Sequence, residues 1–193
     1  YIANATGCSQ AWGCAFPIAP YTTNHQGFGP AWSNLLFENN AEFCLGLYLA
    51  TGQQREKVAM ELEKVDAAID DKEAKAAFKE WVDNYNVGEG TRERSDAVIE
   101  ALKRLDLDGE ALKARDYVLA HKEQLTKKSF WMYGGDGWAY DIGYGGLDHV
   151  LATGADLNVL VVDNELYANT GGQSSKATPK GAVVQFAAAG KKT

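Results

Sequence analysis

Two short polar motifs, each following an apolar run, contain residue types that suit a divalent cation carrying a diphosphate. They are Gly134-Gly135-Asp136-Gly137 and Asp163-Asn164. Asp136 offers a carboxylate oxygen and Asn164 an amide oxygen, and hard cations such as Mg²⁺ prefer oxygen ligands. Glycine N–H groups and the N-terminus of a helix favour the phosphates. The pattern predicts a diphosphate and metal site, with an ordinary Asp-Gly surface turn as the alternative.

The elements that must position these motifs can be read from residues 129–163, where apolar and polar stretches alternate. Their order indicates strand, turn, helix and strand, which predicts an α/β fold with a parallel sheet. Ligands of open α/β sheets bind at the carboxyl ends of the strands, where both motifs lie. Each glycine inside the helix costs about 1 kcal/mol relative to alanine. We therefore expect close backbone approach, to a cofactor or a partner helix, at Gly143, Gly145 and Gly146, with a loop in place of the helix as the alternative.

Apolar periodicity and capping residues predict the remaining elements. Residues 1–5 read as a short strand. Val58, Leu62, Val65 and Ile69 step by four, three and four, which marks one apolar helical stripe. The predicted helices are a mostly buried one over about 31–50, one or two over 53–85, one from a cap at Ser95 to about 106, one from a cap at Asp108 to about 127, and the start of a final one over 181–189.

The charges are distributed unevenly along the chain. Residues 52–128 hold 18 of the 26 acids and 15 of the 19 bases, and the net charge of −7 argues against nucleic-acid binding. We expect one domain over 1–193, incomplete at both ends, that contains a solvated helical insertion over 53–128. No apolar run approaches the ~18 residues that span a bilayer, and three cysteines make a disulfide framework unlikely. Cys14 and Cys44 are most simply buried small hydrophobes.

Longer strings around these motifs resemble the thiamine-diphosphate domain of pyruvate:ferredoxin (flavodoxin) oxidoreductases. The strings are 135–152, 167–178 with its N-T-G-G-Q-S-S-K, 3–9 with A-N-A-T-G-C-S, 29–32, and 38–43. The resemblance implies a parallel-sheet thiamine-diphosphate-binding fold with a helical insertion. It also implies a part of a larger enzyme that oxidatively decarboxylates pyruvate with coenzyme A to acetyl-CoA and CO₂, and passes the electrons to iron–sulfur clusters.

The resemblance also implies roles for individual residues. Asp136, Asn164 and the backbone carbonyl of Leu166 are expected to ligate Mg²⁺, and Cys8 to be one ligand of a 4Fe–4S cluster whose other ligands lie outside this chain. Asn169 is expected to act in catalysis beside the thiazolium and the substrate. The family usually has Thr in place of Asn164, and both offer a neutral oxygen. The expected cofactor-binding residues are Thr6, Cys8, Gly135, Asp136, Gly137, Trp138, Asn164, Glu165, Leu166, Tyr167, Ala168 and Asn169.

The expected partners are the remaining domains or subunits of the same enzyme, ferredoxin or flavodoxin, pyruvate and coenzyme A, without nucleic acid or membrane. We expect a homodimer in the cytoplasm, with an organelle of an anaerobic eukaryote as the alternative location. Lys176 is a candidate for meeting coenzyme A or phosphate, and His149 is expected to be a packing or hydrogen-bonded residue, with a catalytic role as the alternative. The alternative functions are an oxidoreductase for another 2-oxo acid, an NADP-linked relative, and a non-catalytic fragment or binding module.

Overall fold

The computed structural model describes residues 1–5, 7, 9, 23–35 and 39–192. The chain divides into two compact units, one made of Tyr1–Tyr48 with Ser129–Thr193 and the other of Leu49–Lys128. Each unit has its own hydrophobic core of buried side chains. In the described part of the chain, no helix combines the length and the apolar character that crossing a lipid bilayer requires.

The first unit is built on a four-stranded parallel sheet with the strand order β2-β1-β3-β4. The strands are β1 (Ile2–Ala5), β2 (Trp32–Leu35), β3 (Trp131–Gly135) and β4 (Asn158–Val162). Met132 of β3 pairs with Ala3 on one side and Val159 on the other. This arrangement confirms the α/β fold with a parallel sheet that the order of elements predicts.

Small and apolar side chains fill the core of the first unit. Met132 and Ala3 are fully buried, and the Phe130 ring stacks on Tyr1 with 5.3 Å between centroids. Cys44 is also fully buried, and burial raises the pKa of its thiol to about 11. Cys44 is therefore the buried small hydrophobe that was expected, whereas Cys14 lies outside the described residues.

The helix predicted over 31–50 is wrong in its first half. Residues Trp32–Leu35 form β2, which pairs in parallel with β1 from Ile2↔Trp32 to Ala5↔Leu35. The Asn34 side chain accepts hydrogen bonds from Trp32 Nε1 (2.8 Å) and from Asn4 Nδ2 (3.0 Å). Helix α1 begins only at Asn40 and extends through Asn40–Ala68. The helical spacing of Trp32 and Leu35 is coincidental, because pairing with a distant strand decides their conformation.

The second unit, Leu49–Lys128, contains helices and no strand among its residues, all of which are described. They are the later part of α1, α2 (Lys72–Asp83), α3 (Thr91–Arg104), α4 (Gly109–Ala120) and a 3₁₀ turn at Lys122–Gln124. The predicted stripe is confirmed, since all four of its residues lie in the core of this unit. Burial of that stripe is the main driving force for the helical packing.

Two predicted helix starts in this unit need correction or refinement. Ser95 is not a cap, because α3 begins four residues earlier, after Gly90 in the left-handed region (φ 68°), and Ser95 Oγ donates to the Thr91 carbonyl at 2.6 Å. Asp108 does precede α4, but its side chain makes no capping hydrogen bond. That helix ends at Ala120, several residues before the predicted end.

The final helix predicted over 181–189 is absent from these described residues. Phe186 has φ 64°, which a right-handed helix does not allow, and Gly181 has φ 82°. The Gly181 N–H donates to the Lys191 carbonyl (2.8 Å), and the Lys191 N–H donates to the Ala182 carbonyl (3.0 Å). These bonds close residues 181–191 into a loop. Just before it, β5 (Leu166–Tyr167) pairs antiparallel with β6 (Gln173–Ser174).

The segment after β3 is helical, but in two pieces. A π-helical turn covers Gly137–Ile142, and α5 follows at Tyr144–Ala152. A Cβ at Gly143 would lie 2.3 Å from Cδ1 of Trp138, and one at Gly146 would lie 2.1 Å from the Glu42 carboxylate of α1. The predicted close approach is thus correct for these two glycines. It is wrong for Gly145, which has open space around it.

Candidate functional site

Asp136 is a buried carboxylate at the carboxyl end of β3. Its side chain is held by two neutral donors, Ser175 Oγ on Oδ2 at 2.6 Å and the Asn164 N–H on Oδ1 at 3.4 Å, and the residue is only 1% exposed. The described residues contain no group of three or more His, Cys, Asp or Glu side chains arranged for a metal ion. Among the described residues, a metal at Asp136 would therefore have neutral oxygens as its other ligands.

The Asn164 amide and the Leu166 carbonyl supply such oxygens. The amide group faces Asp136 Oδ1 at 2.6 Å and the Leu166 carbonyl oxygen at 3.2 Å. With its nitrogen turned inward, the amide donates hydrogen bonds to both. With its oxygen turned inward, three oxygens converge, and they repel one another unless a cation lies among them. Neighbouring ligands of an octahedral Mg²⁺ ion lie about 3 Å apart, and the separations of 2.6 and 3.2 Å lie on either side of that value. The donor set therefore fits Mg²⁺.

A strained turn brings the Leu166 carbonyl back towards β3. The Glu165 N–H donates to Asp163 Oδ1 at 3.0 Å, and Glu165 has φ 63°, which costs a non-glycine residue about 1–2 kcal/mol. The Thr178 hydroxyl donates to the Glu165 carbonyl and holds the turn in place. This local strain is maintained by surrounding contacts, as is common where a backbone group is aimed at a site.

A cavity of about 150 Å³ lies at the carboxyl end of the parallel sheet. Its lining residues are Gly7, Gly135, Gly137, Trp138, Ile142, Leu166, Tyr167, Asn169 and Thr170. The volume is below the ~300–1,000 Å³ of a complete small-molecule site, so it can enclose only part of a large ligand. The position agrees with the expectation that a ligand binds at this edge of the sheet.

The structure brings six of the expected cofactor-binding residues to the cavity wall: Gly135, Gly137, Trp138, Leu166, Tyr167 and Asn169. Glu165 and Ala168 are exposed and are not among its lining residues. Thr6 and Cys8 lie outside the described residues, so the structure does not bear on their predicted roles. His149, expected to be a packing or hydrogen-bonded residue, is exposed on α5, so the packing alternative is wrong.

Tyr167 is fixed against the glycine turn. Its hydroxyl donates to Asp141 Oδ2, and burial, followed by this hydrogen bond, raises the pKa of the phenol to about 12. A Cβ at Gly137 would lie 2.5 Å from Cε1 of the Tyr167 ring. Only glycine at this position lets the ring lie beside the turn. Gly137 is therefore needed for the packing of Tyr167 in the cavity wall, in addition to any contact that it makes with a ligand.

Sequence reasoning missed several residues that complete the site. Ile142 and Thr170 line the cavity, and Ser175 and Thr178 hold Asp136 and the Glu165 turn. The sequence feature that could have identified Ser175 and Thr178 is their position in the polar stretch after β5. Lys176, the candidate for coenzyme A or phosphate, donates from Nζ to the Tyr140 carbonyl at 2.9 Å.

Part of the chain matches a known family of domains. Residues 117–192 match the family model described as thiamine pyrophosphate enzyme, C-terminal TPP binding domain. The cavity, the buried carboxylate and the glycine turn all belong to this matched segment, apart from Gly7. This segment of the chain is thus similar to the thiamine pyrophosphate (thiamine diphosphate) binding domain of thiamine pyrophosphate enzymes.

Individual relatives are more specific. The chain is 50% identical over 192 residues to pyruvate-flavodoxin oxidoreductase from Klebsiella pneumoniae, covering 100% of this chain and 16% of that protein. It is 51% identical over 195 residues to pyruvate:ferredoxin oxidoreductase from Moorella thermoacetica, covering 100% and 17%. It is 46% identical to the mitochondrial pyruvate dehydrogenase [NADP(+)] of Euglena gracilis, covering 100% and 10%.

These relatives confirm the resemblance stated from the sequence. The chain is similar to a segment of pyruvate oxidoreductases, and it spans about a sixth or less of the length of the three relatives named above. The relatives therefore contain other domains besides the part that corresponds to this chain.

Proposed function

We propose that this chain supplies the diphosphate- and Mg²⁺-binding part of the active site in an enzyme that oxidatively decarboxylates pyruvate with coenzyme A. Identity of about half over the whole chain to proteins named as pyruvate oxidoreductases supports this reaction. The observation that carries the site assignment is the convergence of the Asp136 carboxylate, the Asn164 side-chain amide and the Leu166 carbonyl beside the cavity. The glycine turn next to Asp136 leaves backbone groups open to a diphosphate.

Each residue of the site has a distinct task in this proposal. Asp136 supplies the negative charge that holds Mg²⁺, and Asn164 and Leu166 supply neutral oxygens. Thiamine diphosphate, when bound, supplies a stabilised carbanion for the decarboxylation of 2-oxo acids. Trp138 and Leu166 form an apolar wall that excludes water and strengthens electrostatic contacts. Asn169 lies on the same wall and offers an amide to the substrate.

The oxidative half of the reaction needs groups beyond the described residues. We assign Cys8 as one ligand of a 4Fe–4S cluster, with Thr6 beside the cofactor, and place the other cluster ligands elsewhere in the enzyme. A 4Fe–4S cluster takes four cysteine thiolates, so Cys8 alone cannot hold it. Ferredoxin or flavodoxin is the proposed electron acceptor, as the names of the relatives suggest. Lys176 is proposed to contact coenzyme A or phosphate. We also propose that the intact enzyme is a homodimer located in the cytoplasm.

We assign residues 53–128 to a helical insertion within one thiamine-diphosphate-binding domain over 1–193. The compact unit Leu49–Lys128 with its own apolar core supports this assignment. Its role is structural, because none of the residues that line the cavity comes from this unit.

An NADP-linked enzyme is a second candidate, favoured by the 46% identity to the Euglena protein. The two candidates share the pyruvate chemistry and differ in the electron acceptor. The native protein that contains this chain, isolated without air, should reduce a low-potential viologen dye with pyruvate in a coenzyme A-dependent way. Reduction of NADP⁺ in place of ferredoxin or flavodoxin would favour the second candidate. A preparation that retains its cofactors and is inactive with every 2-oxo acid would contradict both.

A further inference from the structure

Lys191 binds three backbone carbonyls of one turn. Its Nζ lies 2.8 Å from the carbonyl oxygen of Ser175, 2.9 Å from that of Lys176 and 2.6 Å from that of Thr178. An ammonium group has three N–H donors and no acceptor, so the three carbonyls use its full donor capacity. Hydrogen bonds from a charged donor are also shorter and stronger than neutral ones. The turn 175–178 is therefore held by a single cation.

The same turn holds both sides of the proposed metal site. Ser175 Oγ donates to Asp136 Oδ2 at 2.6 Å, and the Thr178 hydroxyl donates to the Glu165 carbonyl, next to Leu166. Ser175 and Thr178 are 4% and 3% exposed, so water competes little for these bonds. Any shift of the turn would move the Asp136 carboxylate and the Glu165 turn together.

The turn 175–178 is also closed by a hydrogen bond of its own. The Ser175 N–H donates to Thr178 Oγ1 at 2.9 Å, which closes the turn internally. Three carbonyl oxygens that converge on one point repel one another without a cation. The turn therefore depends on a positive charge at this position, and Lys191 supplies it.

The backbone of Lys191 is itself fixed in place. Its N–H and carbonyl pair with Ala182 and Gly181 at 3.0 and 2.8 Å, in the loop that replaces the predicted final helix. The neighbouring lysines differ from it. Lys176 has a side chain that is 69% exposed and reaches Tyr140, and Lys192 is exposed. Lys192 is therefore a matched control for the loss of a lysine in this loop.

We infer that Lys191 is a positioning residue of the thiamine-diphosphate site. Its ammonium fixes the turn 175–178, and this turn sets the positions of Asp136 and the Glu165–Leu166 backbone, which are to hold Mg²⁺. The inference rests on the proposed function, because it assigns Lys191 a task in binding that cofactor. Lys191 touches neither the cofactor nor the substrate in this account and acts only through Ser175 and Thr178.

The test compares Lys191→Met with Lys192→Met in the native protein that contains this chain. After the cofactor is removed, thiamine diphosphate is titrated back with Mg²⁺ and followed by calorimetry. We expect Lys191→Met to weaken cofactor binding roughly 10- to 100-fold, as loss of outer partners of a metal site does. Lys192→Met is expected to bind like the wild type. The thermal midpoint of the cofactor-free protein shows whether general stability has changed.

Chemical rescue separates positioning from general stability. Lys191→Ala leaves space for propylammonium, which replaces the missing part of the side chain, and this ion is expected to restore cofactor affinity, whereas propanol is not. Ser175→Ala removes only the hydroxyl that links the turn to Asp136. It provides a second measurement if the Lys191 variants do not fold.

The outcomes distinguish this inference from the proposed function. Wild-type affinity in Lys191→Met or in Ser175→Ala would overturn the role of Lys191 and leave the proposed function intact. Weak binding in Lys191→Ala that propylammonium does not restore would also overturn it. A wild-type protein that takes up no thiamine diphosphate would instead contradict the proposed function itself.

Discussion

The Asp136 carboxylate has little contact with water and has neutral groups as its described hydrogen-bond partners. A buried charge of this kind is costly unless it is paired or binds a metal. Ser175 and the Asn164 backbone offset part of that cost. A cation bound between the carboxylate, the Leu166 carbonyl and the Asn164 side-chain amide would offset the rest. The electrostatics of this residue therefore support a metal-binding role more directly than its position after a strand does.

Gly137 provides the first prediction at the residue scale. Gly137→Ala places a Cβ against the Tyr167 ring and should displace it from the cavity wall. Overpacking of this kind costs about 1–3 kcal/mol, or roughly 5- to 150-fold in binding if all of it falls on the cofactor complex. Calorimetric titration of thiamine diphosphate with Mg²⁺ measures the change.

Gly145→Ala is the matched control, because Gly145 lies in α5 with open space around its Cα. Alanine there should leave cofactor affinity unchanged and stabilise the helix by up to about 1 kcal/mol. Equal affinities for the wild type and Gly137→Ala would show that the Tyr167 ring does not shape the cofactor site.

Sequence patterns could identify some site residues and not others. Asp136 and Asn164 follow strand ends. Asp136 lies in one of the strings that resemble a known family, and Asn164 and Leu166 come just before another, so local sequence is enough to name them. Ser175, Thr178 and Lys191 act through contacts that form only when residues 166–191 fold back on β3. A serine, threonine or lysine in a polar stretch is most often exposed to solvent. No local feature of the sequence shows which of them instead hydrogen-bonds to the site and holds it in place.

At the scale of the elements, β2 shows how pairing overrides local pattern. Trp32–Leu35 has apolar residues three apart, which fits a helix as well as a strand. Its four register contacts to β1 are long-range, and sequence periodicity carries no information about them. The long apolar stripe of α1 was predictable because one local period persists through three turns. The final loop was not, since its left-handed Phe186 contradicts the local helix preference of its alanines.

Helix α2 provides a prediction that depends on pH. Asp71 caps it by accepting hydrogen bonds from the N–H groups of Glu73 (2.9 Å) and Ala74 (3.0 Å). The Ala74 hydrogen bond, then Arg104, lowers the pKa of this carboxyl below its ordinary 3.8. A lowered native pKa means that the stabilisation is complete above the ordinary pKa and is lost as pH falls through the native one.

Asp71→Ala should therefore lower the urea midpoint of unfolding at pH 7, and the loss should shrink as pH falls below 3.8. Circular dichroism during urea unfolding at several pH values measures it. Asp70→Ala, at an exposed neighbouring position, is the control and should show little effect at any pH. A loss that stays constant down to the lowest pH would mean that the ionised carboxylate is not the capping group.

At the scale of the whole molecule, the division of the sequence into charge-rich and charge-poor segments matches the division of the structure into two hydrophobic cores. The segment rich in charge forms helices around one apolar core, and the segments poor in charge form the parallel sheet around another. A charged surface is expected for helices that bury only one stripe each. The sequence-based contrast in charge therefore reflects a real difference in architecture between the two compact units.

This separation predicts where the cofactor changes hydrogen exchange. Thiamine diphosphate with Mg²⁺ stabilises only the structure that binds it, so amides in 134–143 and 163–178 should exchange more slowly when it is present. Amides in 49–128 should keep their rates, because the proposed site uses none of these residues. Exchange followed by mass spectrometry gives both regions in one experiment. If the cofactor slowed exchange in 49–128 as much as in 134–143 and 163–178, a purely structural role for the helical unit would be contradicted.

The proposed metal site can be tested by measuring Mg²⁺-dependent thiamine diphosphate binding to Asp136→Asn in the native protein that contains this chain. Asparagine keeps the shape of the side chain and removes the charge, and Asp148→Asn on the exposed face of α5 is the control. We expect at least roughly a tenfold loss of affinity in Asp136→Asn, with no dependence on Mg²⁺ remaining, and wild-type binding in Asp148→Asn. Unchanged, Mg²⁺-dependent binding in Asp136→Asn would show that Asp136 does not hold the metal.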